Sequence, residues 1–425
     1  MLGSWYGVAM PKGGFRTTVI LNWFLLAACI HPSIGKSDSP ALGDPDFPLI
    51  SLDPTVVLHK ASSYVIGINR NHVPVTFRNG LAKLEKMKEL TPVWGQRRIL
   101  YRNGHGPTDG RLDYNHMTGY HFEATFGSNS SYPFDAKAPY PYDDLRNALW
   151  EAQVMGADQL HVINFGTGDP EEAGRYVGYL NGSADPLRTD HPIPRQDVGL
   201  FELGNEITWD KVRGHDPYAL TVAAYATRGK AFAQKMRPRS GVPIKIGMSL
   251  SVNTSFTASH WATPPAQALQ TMLDIMGDDL DFITFHGYSG WPMQVPYPGS
   301  QAPAADRLKF LESIFSQLAY GGRIIETQLV PVIRQHNGDH GRDVFLLNSE
   351  FFSNLYQDAA LSRGQFGALF SAATAVQAFR NDIRGAVNFC FSHGDIGDSL
   401  MFLGEDPTRV TAVFQFLRLL AGHWG

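Results

Sequence analysis

The 425-residue sequence predicts a (β/α)8 barrel. Two observations carry the prediction. Short strand-like apolar runs alternate with helical patterns, an order that builds a parallel sheet covered by helices. That unit recurs eight times between residues 64 and 421, the number that closes a barrel. An open doubly wound sheet is the runner-up. Its dinucleotide fingerprint is missing, because Gly166-Thr167-Gly168 follows a strand but lacks the third glycine and the later acid. Length by itself predicts two or three domains, yet α/β barrels often exceed about 250 residues as one domain.

The first strand is read at 64–68 (YVIGI), followed by apolar residues at helical spacing over 80–90. A second strand at 98–101 (RILY) precedes an amphipathic helix at 145–156. A third at 159–165 (QLHVINF) precedes a helix at 171–180, which opens on Pro170 and two acids. Strand four, 198–203 (VGLFEL), leads into a long helix at 217–236, and strand five, 244–250 (IKIGMSL), into one at 265–276. Strand six at 282–285 is followed by a helix at 306–318, strand seven at 344–347 by one at 364–379, and strand eight at 386–391 by one at 410–421.

Hydrophobic residues at 43% and charged residues at 18% supply a large core and exclude wholesale disorder. A net charge of −4 speaks against a nucleic-acid partner, whose dedicated binders are basic. Only two cysteines occur, Cys29 and Cys390, which excludes a disulfide framework and a Cys-rich metal site. Cys390 reads as a buried free thiol in a strand. Residues 1–29 read as an export signal. Lys12 and Arg16 stand without an acid before an apolar run at 17–28 (TTVILNWFLLAA), which is too short to span a membrane. Leu26-Ala27-Ala28-Cys29 resembles a bacterial lipobox, implying lipidation of Cys29; an ordinary cleaved signal is the alternative. Residues 30–60 read as a tether, and 61–425 as the catalytic barrel. The expectation is therefore an exported protein, a periplasmic or cell-surface lipoprotein or a secreted one, that meets a membrane only through a lipid anchor.

A barrel collects its functional groups at the C-terminal ends of its strands. Four strand ends carry polar clusters: Arg102-Asn103-Gly104, Gly204-Asn205-Glu206, His286-Gly287-Tyr288 and Asn348-Ser349-Glu350. Two glutamates on separate strands facing one mouth are what glycoside hydrolysis needs: one holds a proton for the leaving oxygen, the other stays ionised at the anomeric carbon. Arg98 and Arg102 share one face by the period of two, and Arg102 is nearer the mouth.

Phe201-Glu-Leu-Gly-Asn-Glu206 resembles the acid/base motif of clan A retaining glycosidases. Val162-Ile-Asn-Phe-Gly-Thr-Gly-Asp-Pro-Glu-Glu-Ala173, continuing to Tyr179-Leu-Asn-Gly182, is similar to the family 51 α-L-arabinofuranosidases. The likeness runs from about Tyr64 to the C-terminus. It implies Glu206 as general acid/base and Glu350 as nucleophile. It also implies Asn205 on the sugar 2-hydroxyl, Tyr288 orienting Glu350, His286 lining the pocket, and Arg102 and Asn164 as further contacts. The implied substrate is an arabinose-decorated plant polysaccharide or oligosaccharide, hydrolysed with retention and without a metal or organic cofactor. Three positions depart from the family pattern. Its glycine pair after the second strand is Arg102-Asn103-Gly104, the acid near the first strand end is missing from Ile68-Asn69-Arg70-Asn71, and the nucleophile sits in Asn-Ser-Glu-Phe. The family's C-terminal β-sandwich has no counterpart before Gly425.

Other features read more plainly. Glu171-Glu172 complements a helix dipole, and Asp278-Asp279-Asp281 forms a loop and strand start. Trp209, Trp261 and Trp291 follow strand ends, where a ring can stack on sugar, and residues 103–141 read as a substrate-facing lid. The rival functions are another clan A glycosidase of β-xylosidase or β-glucuronidase type, a carbohydrate-binding barrel with little turnover, and a transglycosylase.

Overall fold

The computed structural model describes residues 64–70, 80–90, 99–103, 144–165, 168–182, 188, 192–205, 221–250, 263–287, 298–351, 359–388, 401, 406 and 408–423. Eight parallel strands close on one another in chain order, which is the (β/α)8 barrel expected. They are β1 (Tyr64–Arg70), β2 (Leu100–Asn103), β3 (Asp158–Ile163), β4 (Leu200–Leu203), β5 (Lys245–Ser249), β6 (Phe282–His286), β7 (Phe345–Phe351) and β8 (Ile383–Asn388). The described helices are α1 (Gly80–Met87), α2 (Asp144–Met155), α3 (Pro170–Asn181), α4 (Val222–Met236), α5 (Pro265–Met276), α6 (Ala304–Ile324), α7 (Val330–His340), α8 (Ala359–Arg363), α9 (Gln365–Arg380) and α10 (Ala412–His423). The proposed signal, tether and Cys29 lie outside the described residues, as do Cys390, the three tryptophans above and nearly all of the proposed lid.

Alternation along each strand separates two cores. Leu100, Leu160, Leu200, Phe282, Phe345, Leu347 and Val387 pack together inside the barrel. Their odd-numbered or even-numbered neighbours face the helices instead: Ile99 and Tyr101 on one side, Phe201 and Leu203 on another. At Gly247 an added Cβ would stand 2.1 Å from the Phe282 ring, so the missing side chain makes room for that phenylalanine in the lumen.

The N-terminal end of the barrel is closed by aromatic stacking. Phe282 and Phe345 lie 5.4 Å apart at an interplanar angle of 18°. The Arg384 guanidinium sits 4.6 Å from the Phe345 ring centre and the Lys245 ammonium 5.4 Å from it. Arg384 is in turn paired with Asp343, whose carboxyl the hydrogen-bonded guanidinium holds below its ordinary range. Asp281 accepts from the Ile246 amide at 2.8 Å and from Arg237 at 2.7 Å, which ties β5 to the start of β6.

Helix ends follow their sequence signals. Asp169 caps α3 by accepting from the Glu172 amide at 2.8 Å, Pro170 occupies its first turn, and Gly182 ends it at φ 91°. Glu171 pairs with Lys235 and Arg239, so these acids serve the helix start and its neighbours. Several spans differ from expectation: β1 ends at Arg70 rather than 68, β3 at Ile163 rather than 165, and β8 covers Ile383–Asn388 rather than 386–391. β2 and β7 extend further at their C-terminal ends than expected, through Arg102-Asn103 and Asn348-Ser349-Glu350, because those polar side chains are buried in the fold and the ladder continues beneath them. The helix expected at 306–318 continues as α6, then a π-turn at Ile325–Leu329, then α7. Pro331 lacks the N–H that would continue the α pattern, and the π-turn ends two residues before it.

Candidate active site

At the C-terminal end of the barrel the lumen turns from apolar to charged. Arg102 follows Leu100 by two residues and so shares its inward face. Its guanidinium is fully buried and serves three acceptors. Nε donates to Glu202 Oε2 at 2.8 Å, Nη1 to Glu350 Oε1 at 2.5 Å, and Nη2 to Asn205 Oδ1 at 2.8 Å. Burial alone would lower the guanidinium pKa. The charges and hydrogen bonds of Glu202 and Glu350 outweigh it, holding Arg102 above its ordinary range and permanently cationic.

Glu202 occupies the inward face of β4, two residues after Leu200. Its second oxygen accepts from Thr284 Oγ1 at 2.6 Å and Ser349 Oγ at 3.2 Å. Thr284 comes from β6 and Ser349 from β7, so with Arg102 on β2 one carboxylate on β4 gathers groups from three other strands.

Glu350 reaches the same cluster although it is adjacent to Ser349, and strict alternation would send the two to opposite faces. The pairing of β7 with β6 shifts between Phe285 and His286, where His286 stands opposite Glu350. Its pairing with β8 shifts twice as well, between Leu346 and Asn348 and between Asn348 and Phe351. These irregularities turn the strand locally, so that both Ser349 and Glu350 contact lumen groups. The other Glu350 oxygen lies 3.3 Å from His286 Nδ1. The Gly287 amide donates to the Glu350 carbonyl at 2.6 Å and to Asn348 Oδ1 at 3.2 Å, which anchors the β6 end to β7.

Asn205 is brought to Arg102 by a turn at Gly204, whose φ of 77° favours glycine. Behind it, the Tyr225 hydroxyl donates to the Leu203 carbonyl at 2.7 Å and accepts from the Ser249 amide at 3.0 Å, pinning the ends of β4 and β5 together. Burial, ahead of the neighbouring Glu202 charge, raises the pKa of that phenol. Asn164 stands buried at the end of β3, against Gly168 before α3.

Of the residues singled out from sequence, Arg102, Asn205, His286 and Glu350 thus fall in one cluster. Glu206 follows Asn205 directly but lies outside the described residues, as do Tyr288 and Arg98. Sequence reading assigns no role to Glu202, Thr284, Ser349 or Asn69, although Ser349 and Asn69 stand in the strand-end segments Asn348-Ser349-Glu350 and Ile68-Asn69-Arg70-Asn71. An acid in the middle of the apolar run LFEL, at the parity of Leu200, was the available signal for Glu202. Asn69 pairs in register with Arg102 and shares its inward face, because Gly67 pairs with Leu100. It is 0% exposed and both of its amide atoms lack a hydrogen-bond partner. Asn205 Nδ2, at the end of β4, and Asn388 Oδ1, at the end of β8, are also buried without partners. Such groups are costly unless something polar meets them. The arrangement offers a carboxylate oriented by a cation, beside amides with donors and acceptors to spare.

No protein-family model matches the chain, and no curated protein matches it. Solved structures do. The barrel is similar to that of a family 51 α-L-arabinofuranosidase from Bifidobacterium longum, at a TM-score of 0.60 and 16% identity over 88% of this chain and 75% of that one. The α-L-arabinofuranosidase of Thermotoga petrophila aligns at a TM-score of 0.55 and 17% identity, over 86% and 72% of the two chains. That of Xanthomonas axonopodis aligns at 0.53 and 14%, over 86% and 74%. At these identities the likeness is one of fold.

Proposed function

We propose that the protein is a retaining glycoside hydrolase acting on α-L-arabinofuranosides of plant polysaccharides or oligosaccharides. The observation that carries this reading is the Glu350 carboxylate at the mouth of a closed barrel, held by Arg102 at 2.5 Å and facing His286 at 3.3 Å. A nucleophilic carboxylate must be ionised and fixed in direction, and a buried guanidinium bond supplies both. In the first step Glu350 attacks the anomeric carbon while Glu206 gives its proton to the leaving oxygen. In the second, Glu206 takes a proton from water, which displaces Glu350 and releases the sugar with its configuration retained. The unpartnered amide atoms of Asn69, Asn205 Nδ2 and Asn388 Oδ1 are suited to sugar hydroxyls. No metal or organic cofactor enters this chemistry. A carbohydrate is the partner proposed, and export through residues 1–29, with or without lipid on Cys29, completes the proposal.

One observation favours a second reading. The end of β1 presents the neutral Asn69 where the resemblance implies an acid, which fits another clan A glycosidase of β-xylosidase or β-glucuronidase type. A panel of aryl glycosides separates the two, with Glu350→Gln run alongside. The expected result is release of nitrophenol from the α-L-arabinofuranoside, lost at least about 10³-fold in the variant. Turnover of a different glycoside with the same loss selects the second reading. Sugar binding that survives in Glu350→Gln, with no turnover by the wild type, selects a binding barrel instead.

A further inference from the structure

Glu202 is a buried carboxylate that the proposed double displacement does not use. It is 0% exposed, and its contacts are Arg102 Nε at 2.8 Å, Thr284 Oγ1 at 2.6 Å and Ser349 Oγ at 3.2 Å. Arginine carries a rigid planar fork. With Nε free, the fork could swing to offer Glu350 two parallel bonds and abandon Asn205. With Nε held on β4, each remaining nitrogen has one direction: Nη1 toward Glu350, Nη2 toward Asn205. The charge follows the same division. One cation stands between two carboxylates, so neither receives all of it.

We propose that Glu202 is a positioning residue, which fixes the Arg102 guanidinium by its Nε edge and offsets part of its charge, so that Glu350 is oriented yet remains a strong base. The role of Glu350 as nucleophile rests on the function proposed above; the division of the guanidinium between two carboxylates stands independently of it. Among the described residues, the charged or titratable groups that face this pair are Arg102 on β2, His286 on β6 and, beside Glu202, the Tyr225 phenol on α4. The variants below leave all three in place.

The test is the titration of Glu350 itself, followed by 13C NMR in full-length protein labelled at the glutamate carboxyls. Its resonance is identified by its absence in Glu350→Gln. Glu202→Gln removes the competing charge while keeping the shape, so the Glu350 midpoint is expected to fall by about one pH unit or more. On whichever glycoside the wild type turns over, kcat is expected to fall about tenfold or more at nearly constant KM. Glu202→Asp keeps the charge but shortens the reach, and is expected to move the midpoint in the same direction by less. A midpoint unmoved in Glu202→Gln overturns the proposal and leaves Glu202 a structural brace, whatever happens to Tm. If Glu202→Gln does not fold, an unmoved midpoint in Glu202→Asp overturns it equally. A shifted midpoint in a protein that turns over no glycoside supports the role of Glu202 and refutes the function proposed for the site.

Discussion

At the N-terminal end of the barrel the inward groups are Phe282 and Phe345, stacked on each other and covered by two cations, with Arg384 paired to Asp343. At the C-terminal end they are Arg102, Glu202, Glu350 and a set of asparagines. The backbone scaffold is the same at both ends, but the balance of partners is not. The first end buries rings and pairs its charges. The second gathers two carboxylates around one cation and leaves the amide atoms of Asn69 and single atoms of Asn205 and Asn388 without partners. Unmet hydrogen bonds in a buried site are tolerated where a ligand will meet them, and they cost stability until it does. Stability is therefore expected to be concentrated at one end of the barrel and function at the other.

Four further substitutions can break or sharpen that contrast. Arg102→Met strands two buried carboxylates, so unfolding free energy is expected to fall by about 3–5 kcal/mol, with turnover abolished. Urea denaturation and assay of the folded fraction check both. Phe345→Ala should cost a similar ~3–5 kcal/mol, but with kcat/KM unchanged below its lowered Tm. Equal loss of activity in that variant would end the division of labour.

The wall between the two ends supplies a pH test. His161, on the helix-facing side of β3, is fully buried, with Tyr176 Oη at 2.6 Å and Gln159 Oε1 at 2.9 Å, and burial pushes its pKa down to about 3. Between about 3 and the ordinary ~6.5, the unfolded chain binds a proton that the folded chain refuses. Stability should therefore fall as pH is lowered through that window, by up to about 1.4 kcal/mol per unit from this residue. His161→Gln should flatten the decline, measured by denaturation at neutral and mildly acidic pH. Activity need not follow. The smallest expected effect is at Asn69. Asn69→Leu removes two orphaned polar atoms and should raise stability by about 1 kcal/mol while weakening sugar binding. A lowered Tm with unchanged KM would remove Asn69 from the site.

Much of this architecture is legible in the linear sequence. Alternating strand and helix patterns gave the closed barrel, since each unit is a local signal. Strand-end clusters directed attention to Arg102, Asn205, His286 and Glu350, which the structure gathers together. What escaped was non-local. Glu202 reads as one acid in an apolar strand until Arg102, 100 residues earlier, is placed against it. The facing of Glu350 depends on register shifts against two neighbouring strands, which period-two reading does not contain. The helix read at 306–318 runs on in the structure from Ala304 through His340, past Gly321-Gly322 and Pro331. In the structure an added Cβ at Gly322 would stand 2.6 Å from the Gln377 amide, so that glycine admits a close contact with α9.

The Arg102 cluster also bears on how the chain folds. Its bonds join residues separated by 100, 103 and 248 positions. The bonds to Glu202 and Asn205 can form within β1–β4, but the bond to Glu350 spans more than half of the sequence, so a contiguous half barrel leaves Glu350 without its guanidinium. Contacts of such separation are slow to close. The link from Arg102 to Glu350 would therefore form late and favour the closed barrel over partly assembled intermediates.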